Sequence, residues 1–376
     1  MKKLAAALLA ASLLVLPAAA VSGAPQVEAG AAVLMEKETG AILYEDHAHD
    51  KLEPASVTKV MTLLLVMEAV DSGRLSLDDM VTVSTHAASM GGSQVYLKEN
   101  EQMSVNDMLK AVTVVSGNDA AVALAEHLCG SEEGFVDKMN QRAAQLGMAD
   151  TCFVNCTGLP APGHLTSAHD IAVMSRELLC HPKIKEYSTI WMDSIRDGAF
   201  QLSNTNKLIR FYEGATGLKT GSTDAAGYCL SATAERDGME LIAVVLKSPT
   251  SAQRFESAKS LLNFGFANYT LMDVCPAQAL PPVQVLLGQR ETVQPRLSQS
   301  SRILVERDQV NAVTTELELC EDVEAPVEEG QILGRMVVRV GEEERQTIPI
   351  VAEEAVARIT IPGIFLQFLS HLFMAA

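Results

Sequence analysis

Three short stretches carry side chains whose types and spacing suit acyl transfer. In "PASVTKVMT", Pro54 to Thr62, Ser56 and Lys59 stand three residues apart at the start of an apolar run. On a helix such residues share one face, so a hydroxyl and an amine meet there as nucleophile and base. A serine hydroxyl is a poor nucleophile until a neighbour takes its proton. Lysine does this only when neutral, and a second cation nearby favours that form. The pair alone says little, because ordinary amphipathic helices contain it by accident. "VVSGNDAA" adds Ser116 and Asn118 on a polar loop between two apolar segments, and "LKTGST" adds Lys219, Thr220, Gly221 and Ser222 on an expected strand. Ser and Asn are also ordinary at caps and turns. Only together do the three stretches argue for a site.

In this order, Ser-x-x-Lys, Ser-x-Asn and Lys-Thr-Gly are the motifs of penicillin-binding proteins and β-lactamases. The chain resembles the low-molecular-mass penicillin-binding proteins, which are serine-type D-alanyl-D-alanine carboxypeptidases. The likeness runs through most of residues 30 to 270 and includes "SGNDAAVALAE", "FVDKMNQRAAQLGM", "LTSAHDIAVMSREL", "NTNKL" and "RFESAKSLLNFGF". It implies removal of the terminal D-alanine from peptidoglycan stem pentapeptides through an acyl-enzyme on Ser56, with β-lactams as covalent inhibitors and no cofactor. Lys59 and Lys219 both remain open as the general base. Ser116 would relay a proton to the leaving amine and Asn118 would hold the substrate amide. The backbone N–H groups of Ser56 and Ser222 would form the oxyanion hole. Thr220, Lys219 and Arg254 would anchor the terminal carboxylate, Arg254 having the alternative of a surface helix position. Gly221 would let a peptide-like substrate approach the strand edge. Two departures, "NCTGL" at Asn155 to Leu159 and Ser222 where some members have histidine, bear on substrate detail and rate.

Two rival readings share these residues. A β-lactamase of class A needs a glutamate-activated water for deacylation, and no Glu-x-x-Leu-Asn lies between the second and third motifs; "TSAHDIAVMSRELL" offers only Glu177. A non-catalytic penicillin-recognising sensor or scaffold would gain nothing from keeping Ser56, Lys59, Ser116, Asn118 and Lys219 intact.

The elements that must position these residues are legible in outline. With 376 residues there is room for two domains. A formal charge of −18, with no basic stripe, argues against nucleic acid as a partner. Ala31–Glu36 and Ala41–Tyr44 around "KETG" read as a hairpin, and Val57–Val70 as a buried helix. Residues 82 to 182 read as largely helical. "GYCLSATAERDGMELIAVVLKSP" reads as two strands turning at Asp237–Gly238. "SAQRFESAKSLLNFGF" reads as a helix. Residues 25–270 thus form an α+β domain, which the resemblance makes an antiparallel sheet flanked by helices plus a helical subdomain. Short β-type runs over 271–356 form a small all-β domain.

The two ends read differently. Residues 1–20 carry Lys2 and Lys3, an apolar run and small residues at Ala18 and Ala20, a secretory signal pattern. Residues 357–376, "IPGIFLQFLSHLFMAA" at their core, read as an amphipathic helix too short to span a bilayer and suited to lie in its surface. The protein is therefore expected to be exported and held at the outer face of the cytoplasmic membrane. Seven cysteines cannot all pair within the chain. Cys152, Cys156, His164 and His169 cluster in sequence, but their spacing does not match the usual structural zinc sites.

Overall fold

The computed structural model describes residues 23–276 and 279–364. The expected signal segment and most of the expected terminal helix lie outside these residues. Five antiparallel strands make the central sheet: β1 (Ala31–Glu36), β2 (Ile42–Asp46), β3 (Ala215–Thr223), β4 (Gly227–Arg236) and β5 (Met239–Ser248), in the order β2-β1-β5-β4-β3. Along β1, Ala31, Val33 and Met35 enter one core while Ala32 and Leu34 enter another. Side chains alternate across a strand, so a strand covered on both faces is apolar throughout. The β4–β5 turn has Asp237 at φ 50° and Gly238 at φ 75°, the left-handed pair that a two-residue hairpin requires.

One face of the sheet packs on the helix Ser251–Asn268. The other carries the larger core, which surrounds the helix Lys59–Asp71. That helix is apolar on nearly every side and is buried accordingly. Around it stand Val105–Val114, Asn118–Cys129, Glu132–Gln145 and Ala168–Leu178. Their starts are fixed locally: the side chains of Ser104, Ser131 and Ser167 accept from the amides of Asp107, Gly134 and Asp170, the usual N-cap bond.

Three expectations need correction. Ser56 sits on a separate 3₁₀ turn, Ala55–Thr58, and the α-helix begins only at Lys59. Residues 82–182, expected to be largely helical, hold five helices but are helical over only about half their length, and 146–167 run as irregular chain pinned by isolated bridges Leu52↔Thr166 and Cys152↔Leu165. A hairpin of Met192–Ile195 with Phe200–Ser203 also appears, where no strand was anticipated.

Beyond Asn268 the chain is β-rich. Val313–Leu319, Ile332–Val340 and Glu343–Ala352 form an antiparallel sheet with Pro295–Leu297, over a core that includes Met336, Val338, Ile348 and Ile350. Arg358 pairs with Gly288 in a bridge and the Ile359 amide donates to the Leu287 carbonyl at 2.8 Å. Both residues thus belong to this β-rich part, although the sequence reading started the terminal helix at 357. No helix among the described residues is long and apolar enough to cross a membrane.

Candidate active site

The 3₁₀ turn after Pro54 presents the half-buried Ser56, and the first residue of the following helix, Lys59, is completely buried. Lys59 Nζ lies 3.0 Å from Ser56 Oγ and donates to Asn118 Oδ1 at 2.6 Å and to the Thr157 carbonyl at 2.8 Å. Burial is the largest influence on the amine and pulls it down to about 7, against the opposing pull of Cys156 and Asp119. An amine in that range is partly neutral near pH 7, as a base must be.

Asn118 opens a helix, and its position is set from both sides. Its amide donates to the Ser93 carbonyl at 2.7 Å and its Nδ2 to the Gly91 carbonyl at 2.7 Å. The next residue, buried Asp119, accepts from the amides of Val95 and Leu97, each at 3.0 Å. Those bonds tie the 91–97 loop to the start of the helix. Ser116 occupies the turn before it at φ 64° and is buried, with no partner for its Oγ. A buried hydroxyl without a partner costs free energy.

Strand β3 forms the edge of the sheet. At residues 216–217 its carbonyls are taken by Ser188 Oγ and by Asn206 Nδ2. Thr220 Oγ1 lies 2.7 Å from Thr205 Oγ1. Lys219 is buried and donates to the Thr220 carbonyl at 3.0 Å; burial first, then Lys59 and Arg254, hold it well below the usual lysine range. Ser222 is exposed. A β-carbon on Gly221 would stand 2.8 Å from the Pro54 carbonyl and 2.9 Å from the amides of Ser56 and Val57. Glycine is therefore required here by the approach of β3 to the turn that carries Ser56.

Arg254 is buried rather than on the surface of its helix. Its Nη1 donates to the Gly221 carbonyl at 3.2 Å and to the Cys229 carbonyl at 3.3 Å, and its Nε has no partner. The guanidinium, lowered to about 10 mainly by burial, sits behind the strand that carries Lys219 and Thr220. It supplies positive charge there and braces the strand.

Of the nine residues singled out in the sequence, Ser56, Lys59 and Asn118 are joined by hydrogen bonds, Gly221 brings the strand of Lys219 and Thr220 against the Ser56 turn, and Arg254 holds that strand through the Gly221 carbonyl. Four participants were not anticipated: the Thr157 carbonyl, Thr205, Asp119 and His164. Thr205 lies in the quoted "NTNKL" and Asp119 directly follows Asn118, so both were within reach. The zinc reading meets a different use of its residues. Cys156 is a buried thiol and His164 bonds Thr58 and Val154. All seven cysteines are free.

A serine within 3.0 Å of a buried lysine that also bonds an asparagine, with the edge strand of Lys219 and Gly221 packed against the serine's turn, fits a serine acyl-transfer enzyme of the penicillin-binding type. Residues 18–250 match the D-alanyl-D-alanine carboxypeptidase family, and residues 278–358 match the C-terminal domain of penicillin-binding protein 5. The chain belongs to the D-alanyl-D-alanine carboxypeptidase family. It is 42% identical over 332 residues to the D-alanyl-D-alanine carboxypeptidase DacF of Bacillus subtilis, covering 87% of this chain and 85% of that one. It is 34% identical to DacC of Escherichia coli, covering 89% and 85%. Penicillin-binding protein 5 of Haemophilus influenzae superposes with a TM-score of 0.79 at 31% identity, over 89% of this chain and 99% of that one.

Proposed function

We propose that this protein removes the terminal D-alanine from peptidoglycan stem pentapeptides, with Ser56 as the acylated nucleophile. The observation that carries the reading is the bonding of Lys59. A neutral amine has two N–H bonds and one lone pair. Lys59 Nζ donates to Asn118 Oδ1 and the Thr157 carbonyl and stands 3.0 Å from Ser56 Oγ; once neutral, it keeps the first two bonds and turns its lone pair to that hydroxyl.

The substrate lies along the free edge of β3 as an added strand. Lys59 takes the Ser56 proton as Oγ attacks the penultimate D-alanine carbonyl. The Ser56 and Ser222 amides receive the oxyanion, a contribution worth roughly 10²–10³ in rate per donor. Ser116 relays the proton held by Lys59 to the departing D-alanine amine, which leaves Lys59 neutral again, and water then cleaves the ester to regenerate Ser56. Asn118 holds the substrate amide. Lys219, Thr220 and Arg254 supply the cationic and hydroxyl groups that a terminal carboxylate needs, while Gly221 keeps the strand against the nucleophile. β-Lactams enter the same path and stop at the acyl-enzyme; D2 of Listeria monocytogenes, with which this chain shares 36% identity, has been crystallised in an ampicillin-bound form.

We place the protein outside the cytoplasm at the membrane surface. Leu286, Leu287, Ile361 and Ile364 are exposed, and the Leu287–Ile359 backbone bond brings the first pair near the second. The sequence that follows is apolar, "FLQFLSHLFMAA", and suits burial in a lipid interface. The deciding experiment is mass analysis of a stem pentapeptide incubated with purified protein. Loss of one alanine by the parent and none by Ser56→Ala supports the reading; an unchanged peptide with the parent refutes it.

A further inference from the structure

The chain between Cys156 and His164 is not merely irregular; it wraps the nucleophile's turn. Thr62 Oγ1 donates to the Cys156 carbonyl at 2.7 Å, and the next carbonyl, that of Thr157, receives Lys59. Gly158 has φ 82°, and a β-carbon there would stand 1.8 Å from the Ala55 carbonyl and 2.8 Å from Thr58 Oγ1. Asn155 Oδ1 gathers the amides of Thr157 and Gly158 and so holds this curve. At its far end His164, 3% exposed, stands 2.8 Å from Thr58 Oγ1 and 3.0 Å from the Val154 amide.

These contacts decide the imidazole's form. The Val154 amide can only donate, so Nδ1 is the acceptor and bears no hydrogen. Nε2 therefore carries the proton and donates it to Thr58 Oγ1. Thr58 lies between Ser56 and Lys59 in sequence. Its hydroxyl is the handle by which the ring holds the 3₁₀ turn.

We propose that His164 is a positioning residue for acyl transfer: as a neutral Nε2–H imidazole it links the Val154 backbone to Thr58 and so fixes Ser56 against Lys59. The inference rests on Ser56 being the nucleophile. Burial alone pushes His164 down to about 4, which keeps the ring neutral wherever the enzyme works. The edge of Phe153 packs on it, with ring centroids 5.9 Å apart. Lys59 follows Thr58 directly and is itself lowered by burial to about 7.

Two replacements separate the two bonds. Gln places an amide N–H near the site of Nε2, and Asn places a carbonyl near the site of Nδ1. The test is the time course of covalent labelling by a fluorescent penicillin, read as a rate constant and as a final amplitude. A folding defect lowers the amplitude; a displaced nucleophile lowers the rate constant of molecules that still label. For His164→Gln we expect a rate within threefold of the parent. For His164→Asn and Thr58→Val we expect losses of tenfold or more at full amplitude. The double variant should lose no more than either single, because all act on one bond. Equal rates for His164→Asn and the parent would overturn the proposal, as would equal losses for the Gln and Asn variants. Ser56→Ala, run alongside, must abolish labelling; if it labels, the nucleophile assignment fails instead.

Discussion

The α-carbon of Gly221 faces the amide of Ser56 so closely that a β-carbon would stand 2.9 Å from that nitrogen. The strand and the Ser56 turn are therefore set against each other without a side chain between them. In Gly221→Ala one of the two must retreat. Displacement of reacting groups by about 1 Å costs roughly 10²-fold in rate. We expect a loss of that order in the acylation rate, measured by penicillin labelling, together with a lowered melting temperature, since overpacking a buried contact costs about 1–3 kcal/mol.

The acylation rate should rise with pH through an inflection near 7. Lys59 must be neutral to accept the Ser56 proton, and burial brings it to about 7, so the competent form is present above that value and lost below it. A stopped-flow pH profile between pH 5 and 9 checks this. Lys59→Arg, which stays charged at every accessible pH, should abolish labelling throughout.

Arg254 lies behind Lys219 and Thr220 with its Nε unpartnered, and its charge should favour substrates that end in a carboxylate. Hydrogen bonds to charged groups contribute about 1.5–3 kcal/mol, which is on the order of tenfold to a hundredfold in kcat/KM. Arg254→Gln should lose that much on a free-acid peptide and distinctly less on its C-terminal amide. Equal losses on both would restrict Arg254 to bracing the Gly221 and Cys229 carbonyls.

His164 should also leave a mark on stability. Its folded value of about 4 lies below the usual 6.5, so between these values the unfolded chain binds the proton and the folded one does not. Stability then falls as pH drops from about 6.5 to 4 and levels off below. Urea denaturation across pH 4–7 should show this slope in the parent, and a shallower one in His164→Gln.

A chain ending at Ile364 should be released from membranes yet keep its activity on soluble peptides. The cut belongs there and not at 358, because Arg358 and Ile359 are bonded into the β-rich part. Co-sedimentation with lipid vesicles and a D-alanine release assay check the two halves of this expectation. Undiminished vesicle binding would remove the anchor from residues 365–376.

The central sheet was legible because its signals are local. Alternating apolar runs and the Asp237–Gly238 turn announce β4 and β5. The Met192–Ile195 and Phe200–Ser203 hairpin was missed because it is short and exposes Met192 and Gln201, which blurs the alternation. The separate 3₁₀ turn was missed because apolar periodicity does not report where a helix tightens.

The sequence by itself determined the candidate groups, since Ser56 and Lys59, Ser116 and Asn118, and Lys219 with Thr220 and Gly221 stand at spacings of one to three residues. Only the tertiary structure decided what surrounds them. Lys59 meets the Thr157 carbonyl across 98 residues and Thr58 meets His164 across 106. Arg254 reaches Gly221 across 33. Such contacts leave no periodic trace in the chain. They arise because burying the apolar face of each element brings backbone and side chains of distant segments together, and the buried polar groups must then find one another.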